Sequence, residues 1–215
     1  MPSLQQWRAT LGLLGIGPDT HVVIYDDQGG ANSAARAWWM LKAVGHEAVQ
    51  VLDGGLKAAI SAGWELTIDD SVALARPHYP ATVWLLPTVD IGVLEKLAKH
   101  REWRVLDVRS TERYRGDTEP FDPVAGHIPG AVNLPYTENL DSEGRFKSAM
   151  ELRAHYAQLL GGLGSDHLVV HCGSGITACH TLLALEQAGL PGAALYVGSW
   201  SEWCRSGKPI ALGTE

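Results

Sequence analysis

Cysteine is scarce in this chain: Cys172, Cys179 and Cys204 are all it has. An odd, small number in 215 residues is not a disulfide framework. None of the three falls in a CxxC pair or at zinc-ligand spacing from a histidine, so no metal site is expected and no cofactor is implied. Blocks of lysine and arginine are missing too, and the net charge is −7 from 17 basic and 24 acidic residues. That balance argues against nucleic acid or an anionic membrane as a partner. There is no apolar run of about 18 residues, and Gln5, Gln6, Trp7 and Arg8 do not make a signal-peptide pattern. These absences predict a protein of a reducing compartment, the cytoplasm. What is present is 46% hydrophobic residues, enough to bury a full core in one or two domains.

Against that background residues 168–179, LVVHCGSGITAC, carry the densest chemical signal. Leu168, Val169 and Val170 read as the end of a buried strand, and the apolar-periodic run Thr181–Gln187 as a helix. Cys172 stands between them, where backbone N–H groups and a helix N-terminus converge in a field that favours a thiolate. Gly173 and Gly175 let the backbone wrap close to the sulfur, and Ser174 and Thr177 add hydroxyl donors. The plainer reading is a buried structural cysteine beside a Gly-rich turn. The order of strand, cysteine, glycines, hydroxyls and helix favours a nucleophile instead. His171 precedes the cysteine, but strand neighbours point to opposite faces, which argues against a Cys–His pair. A Cys-based phosphatase would follow its cysteine by five residues and then an arginine to grip phosphate oxygens. That place is Ala178.

The remaining chain alternates helices and strands. Residues 3–14 pattern as an amphipathic helix with Ser3 as N-cap, and 21–25 as a buried strand. Ser33–Val44 reads as a helix carrying Trp38, Trp39 and Met40 in its core face, closed by Gly45. Ala48–Leu52 reads as a strand and Leu56–Ala62 as a short helix. Pro77, Pro80 and Pro87 then interrupt the rhythm and suggest a linker. A helix over Asp90–His100, a strand over Trp103–Val108, a polar loop over Ser110–Gly126 and a helix over Met150–Leu160 follow. A strand over Ala194–Val197 and a short closing helix complete it. Such alternation predicts a parallel α/β fold.

Sliding residues 41–66 onto 185–210 without a gap matches Leu41 to Leu185, Gly45 to Gly189, Gly54 to Gly198 and Gly63 to Gly207. Upstream, HVVIYD (21–26) meets HLVVHC (167–172), so Asp26 stands where Cys172 stands in the second copy. Only the second copy has a thiol to act with.

These segments resemble the tandem-domain rhodanese-type sulfurtransferases, and CGSGIT (172–177) resembles the loop of their 3-mercaptopyruvate branch. The resemblance extends over DVRSTERYRGDTEP (107–120), GHIPGAVNLP (126–135), CGSGITACH (172–180) and GSWSEW (198–203). It implies a rhodanese-like parallel sheet flanked by helices, in two tandem copies of which the N-terminal one is shortened. The expected division is 1–70 for a partial inactive copy, 71–87 for the linker and 88–213 for the catalytic copy. The implied reaction is ping-pong sulfur transfer through a persulfide on Cys172. Its partners are a small anionic donor and an acceptor thiol, either a small thiol or a thioredoxin-like protein, with cyanide as a substitute acceptor. Gly173, Ser174, Gly175, Ile176 and Thr177 would cradle the sulfur. Arg113 matches the family position that pairs with the donor anion, a task suited to the planar guanidinium fork. Arg109 and Arg115 are expected in structural ion pairs, Asp107 in hydrogen bonds that organise the loop, and His127 in a bond specific to the fold.

Two departures from the family pattern qualify these implications. The family's first domain begins upstream with its own Asp-x-Arg strand and His-Ile-Pro-Gly segment. The chain therefore reads either as a fragment or as a half-domain with another partner, since an unpaired sheet edge invites self-association. The family's histidine and aspartate that assist the loop serine have no counterpart for Ser174. Second, Phe121 and Asp122 stand near where a second substrate arginine is expected, which leaves thiosulfate open beside 3-mercaptopyruvate. The alternative function is a non-catalytic or sulfur-relay module with impaired turnover.

Overall fold

The structure, a computed structural model, describes residues 1–69 and 73–214. Asp70, which ends the first expected copy, and Ser71 and Val72, which begin the expected linker, lie outside the described residues. The chain divides into two compact units, Met1–Leu86 and Pro87–Glu215.

In the first unit α1 (Leu4–Leu13) starts at Ser3, whose hydroxyl accepts the Gln6 N–H while the Gln6 side chain accepts that of Ser3. This reciprocal pairing satisfies two donors the first helical turn leaves open. β1 (Val22–Ile24) and β2 (Val49–Val51) pair in parallel, Val22 opposite Val49. Between them α2 (Ser33–Ala43) buries Trp38, Trp39, Met40 and Leu41, as the core reading of that run expects. Gly45 ends it at φ +79°, a left-handed conformation that glycine adopts without a Cβ clash. α3 (Gly55–Ser61) follows. The proline-bearing stretch then lies along the unit's own helices. Arg76 N donates to Gly12 O (2.9 Å), Arg8 Nε to Tyr79 O (2.6 Å) and Leu85 N to Ala43 O (2.7 Å).

The second unit is built on five parallel strands: β3 (Thr88–Val89), β4 (Arg104–Asp107), β5 (Ala131–Asn133), β6 (Leu168–His171) and β7 (Ala194–Tyr196). Their spatial order is β3-β7-β6-β4-β5. β6 is buried at all four residues, which is why LVVH lacks the alternation of a half-exposed strand. Around the sheet run α4 (Ile91–Leu97), α5 (Thr111–Arg115), α6 (Ala149–Leu160), α7 (Thr177–Gln187) and α8 (Ser199–Trp203). Leu94, Val105, Ile128, Val169, Tyr196, Trp200 and Trp203 pack into one core. From β4 the chain passes to β5 on one side and later returns to β6 on the other. The switch point therefore lies between β4 and β6, and ligands of open α/β sheets bind outside the carboxyl ends of strands there. Asp107 and His171 pair across that point, and Cys172 is the next residue.

The elements depart from the sequence reading in several places, among them β5, which no strand reading anticipates. The stretch read as a polar loop from Ser110 contains α5, a single turn with one buried side chain, Tyr114. Tyr114 Oη donates to Ala131 O (2.7 Å), so a lone anchor and not a periodic apolar face holds this helix. α7 begins at Thr177, ahead of Thr181, because Ala178 and Cys179 pack with no exposure although both are small. Finally, Thr88–Val89 adds the edge strand β3.

Candidate active site

Cys172 follows β6 and is 2% exposed. The Gly175 N–H donates to its Sγ at 3.1 Å, so the loop already places a dipole on the sulfur where negative charge would sit. Gly175 achieves this at φ +77°, and a Cβ there would come within 2.6 Å of Val197 O. Thr177 opens α7 directly after Ile176, both half-buried, whereas Ser174 is exposed. Cys179, in the first turn of α7, directs its thiol at Gly175 O (3.4 Å).

The loop base rests on the turn from β7 into α8. Ser199 Oγ accepts the Cys172 N–H (3.2 Å) and donates to Tyr196 O (2.9 Å). Trp200 N donates to Cys172 O (3.0 Å), and Ser201 N to Gly173 O (2.9 Å). Among the described residues Ser199 alone is a non-glycine with positive φ, at +54°. Such strain persists only where its surroundings over-determine it, and here they fix the backbone of the nucleophile. Sequence reasoning assigns Ser199 no role. The GSW segment marks the place, but the contact exists only because β6 and β7 are neighbours.

Arg113 reaches the loop from α5. Its Nη2 and Nη1 lie 3.3 and 3.4 Å from where a Gly173 Cβ would stand, so the guanidinium lies over the glycine. Glu119 Oε1 accepts from Nη2 at 2.7 Å, Asp122 Oδ2 lies 3.8 Å away, and the Phe121 ring stacks at 5.0 Å. Arg109 sits deeper. It binds Asp107 (2.6 Å), Glu119 (3.1 Å) and Gly126 O (2.7 Å), and its guanidinium covers the Trp200 ring at 4.6 Å. Arg109 is thus the structural partner the sequence suggests, while Arg115 is exposed. Burial works against the Asp107 carboxylate, but His171, Arg109 and the hydrogen bonds from Arg109 outweigh it and hold its pKa below the ordinary value. His171 is pushed down, first by its burial, and is neutral at pH 7. Its Nδ1 lies 3.2 Å from Cys172 O and its Nε2 3.8 Å from Asp107, so it does not form a Cys–His pair with the thiol. His127 Nδ1 bonds Tyr114 O (2.8 Å) with the rings stacked 3.7 Å apart, which seats α5.

Of the sequence-selected residues, the structure brings Cys172, Gly173, Ser174, Gly175, Ile176 and Thr177 into one loop and sets Arg113 over it. The other two cysteines lack this setting: Cys179 is wholly buried, and the Cys204 thiol is pushed up by burial and then by Asp122. Ala178, where a phosphatase would carry arginine, is packed in the first turn of α7. Among the described residues no group of three His, Cys, Asp or Glu side chains could hold a metal ion. The arrangement can stabilise an anionic sulfur and bind a small anion beside it.

A family model described as a rhodanese-like domain matches residues 1–62 and 91–206. Over 215 residues the chain is 43% identical to "Probable 3-mercaptopyruvate sulfurtransferase" of Pseudomonas aeruginosa, covering 99% of this chain and 75% of that protein. It is 37% identical over 222 residues to the thiosulfate sulfurtransferase of Gallus gallus, covering 100% of this chain and 74% of the other. The solved structure of 3-mercaptopyruvate sulfurtransferase from Leishmania major superposes with a TM-score of 0.82 at 30% identity, covering 97% of this chain and 58% of that one.

Proposed function

The chain belongs to the rhodanese-like domain family, and we propose that it is a sulfurtransferase whose nucleophile is Cys172. The observation that carries the assignment is the Gly175 N–H donating to Cys172 Sγ at 3.1 Å, with the Arg113 guanidinium over the neighbouring Gly173. We place catalysis in the unit Pro87–Glu215, with Met1–Leu86 as the copy that lacks a thiol.

The Cys172 thiolate attacks the transferable sulfur of the donor, the thiol sulfur of 3-mercaptopyruvate or the outer sulfur of thiosulfate. With 3-mercaptopyruvate the C–S bond breaks and its electron pair leaves on carbon, so the pyruvate enolate forms and takes a proton. With thiosulfate the S–S bond breaks and sulfite leaves with the pair. Either route yields a Cys172 persulfide, whose outer sulfur carries the negative charge that the loop N–H groups stabilise. An acceptor thiol then takes the outer sulfur and returns the Cys172 thiolate; cyanide does the same and becomes thiocyanate. Arg113 binds the carboxylate of one donor or the sulfonate end of the other, because both offer oxygens to its fork. Ser174 is exposed, and its hydroxyl is free to donate to a substrate oxygen in this reading. Relatives named for each donor support both substrates.

Intact mass spectrometry after exposure to each donor tests this. The expected result is one added sulfur on the wild type, released by cyanide, and none on Cys172→Ser. No adduct with either donor would leave a binding module in place of an enzyme. Among the described residues no helix is long and apolar enough to cross a membrane.

A further inference from the structure

The arginine over the nucleophile loop is one link in a chain of alternating charges. From the sheet outward run Asp107–Arg109 (2.6 Å), Arg109–Glu119 (3.1 Å), Glu119–Arg113 (2.7 Å), Arg113–Asp122 (3.8 Å) and Asp122–Arg205 (2.6 Å). Three carboxylates and three guanidiniums sum to zero (3 − 3), so the pull of Arg113 on an arriving anion depends on how fully its neighbouring carboxylates are compensated. Arg113 is flanked by two of those carboxylates, and each weakens its pull on a donor. They are not equivalent. Glu119 is locked between Arg109 and Arg113, whereas Asp122 is shared with an arginine at the surface.

Asp122 is 3% exposed at its side chain, and Arg205 is 51% exposed. Arg205 Nη1 donates both to Asp122 Oδ1 and to Ser201 O, at 2.6 Å each. Ser201 Oγ donates to the other Asp122 oxygen (3.0 Å), and Ser201 N donates to Gly173 O (2.9 Å). Asp122 is thus tied to the loop that holds Cys172, and Arg205 governs how much of its charge faces Arg113.

We propose that Asp122 and Arg205 form an electrostatic gate that sets donor choice: Arg205 draws the Asp122 charge away from Arg113, and the remainder discriminates against donors of higher negative charge. The inference rests on the sulfur-transfer reading for its reaction but on the ion-pair geometry alone for its anion. Coulomb energy scales with the charge of the ligand, so one uncompensated charge acts on a dianion with twice the energy it exerts on a monoanion. A change that weakens a monoanion about 3-fold therefore weakens a dianion about 10-fold. Thiosulfate is a dianion at neutral pH, and 3-mercaptopyruvate carries a single carboxylate charge.

Steady-state kinetics with both donors at low ionic strength tests the gate in Arg205→Gln, Asp122→Asn and the double variant. Arg205→Gln should raise KM about 3-fold for 3-mercaptopyruvate and about 10-fold for thiosulfate. Asp122→Asn should lower both, thiosulfate the more. The double variant should fall within about 2-fold of Asp122→Asn, because Arg205 acts through Asp122. Raised salt should compress every difference. A purely structural role would lower kcat for both donors alike and leave the KM ratio unchanged; an unchanged ratio in both single variants overturns the proposal. A binding arm separates this from the reaction itself. In Cys172→Ser, calorimetric titration with thiosulfate and with pyruvate should show the same shifts in Kd ratio on adding each substitution. Absence of persulfide in the wild type would sink the sulfur-transfer reading while this arm still decides the gate. Failure of every form to bind thiosulfate would overturn the gate as well.

Discussion

Gly173 and Gly175 stand two residues apart in the same loop, yet the structure asks different things of them. Gly175 needs its φ of +77°, and a Cβ there meets Val197 O at 2.6 Å, backbone that cannot turn aside. Gly173 has no such conformation, and its Cβ would meet only the far end of Arg113 at 3.3 to 3.4 Å. The same substitution should therefore separate two kinetic constants. Gly175→Ala should displace the amide from the sulfur and slow persulfide formation at saturating donor by about 10-fold or more, with a loss of roughly 1–3 kcal/mol in stability. Gly173→Ala should keep stability within about 1 kcal/mol and instead raise KM, because it pushes the guanidinium off the donor position. Rapid-mix mass spectrometry with thermal unfolding measures both, and equal effects from the two alanines would count against this division. Arg113→Lys should raise KM by about 10-fold with kcat less affected, since a point charge replaces a two-oxygen fork; steady-state rates with each donor check this.

At the scale of elements, one buried guanidinium ties the end of β4 to the loop after α5, through Asp107 and Glu119. Removing the Arg109 charge, as in Arg109→Met, leaves Asp107 buried without its guanidinium and Glu119 with Arg113 alone. Breaking such a pair from one side typically destabilises by about 3–5 kcal/mol, which chemical denaturation would read directly. The neighbouring histidine gives the pH dependence its sign. His171 has a pKa depressed by burial, so the unfolded chain binds a proton that the folded chain refuses. Its contribution is complete above the unfolded value near pH 6.5 and is lost as pH falls below that, with a slope of at most about 1.4 kcal/mol per pH unit. His155, pushed down by burial as well, adds a slope of the same sign. Asp107, also depressed, adds its loss only below about pH 4. Urea midpoints should therefore hold from pH 7.5 to 6.5 and decline below; a flat profile down to pH 5 would mean that His171 is charged in the folded protein. The same elements show what a sequence discloses. The Cys172 loop is legible because strand, glycines and helix are contiguous. Arg113 is reached only through a family resemblance, since α5 is one turn anchored by Tyr114 and has no periodic face. The GSW segment marks the place of Ser199 but not its role, because its hydroxyl meets Cys172 N from 27 residues away.

Across the whole molecule, burial and pairing are distributed unevenly between the two units. The sheet of Pro87–Glu215 has β6 flanked on both sides by β4 and β7, and all four of its residues are buried. The sheet of Met1–Leu86 is the single parallel pair β1–β2, in which Val23 is 48% exposed. Both strands read from sequence as the same kind of buried apolar run, HVVIY and HLVVH, and only the number of neighbours separates them. A two-stranded pair gains little by itself and relies on the helices packed against it, here α2 with its buried tryptophans. Local opening free energies range from near zero up to that of global unfolding, with few-neighbour segments at the low end. The amides of Val23 and Ile24 should therefore exchange at least about 100-fold faster than those of Val169 and Val170 at neutral pH. Hydrogen exchange followed by mass spectrometry resolves these segments in one sample. Equal protection would mean that the two units open as one cooperative body. A large difference would mean that the nucleophile loop, rooted on β6, keeps its geometry while the first unit opens and closes.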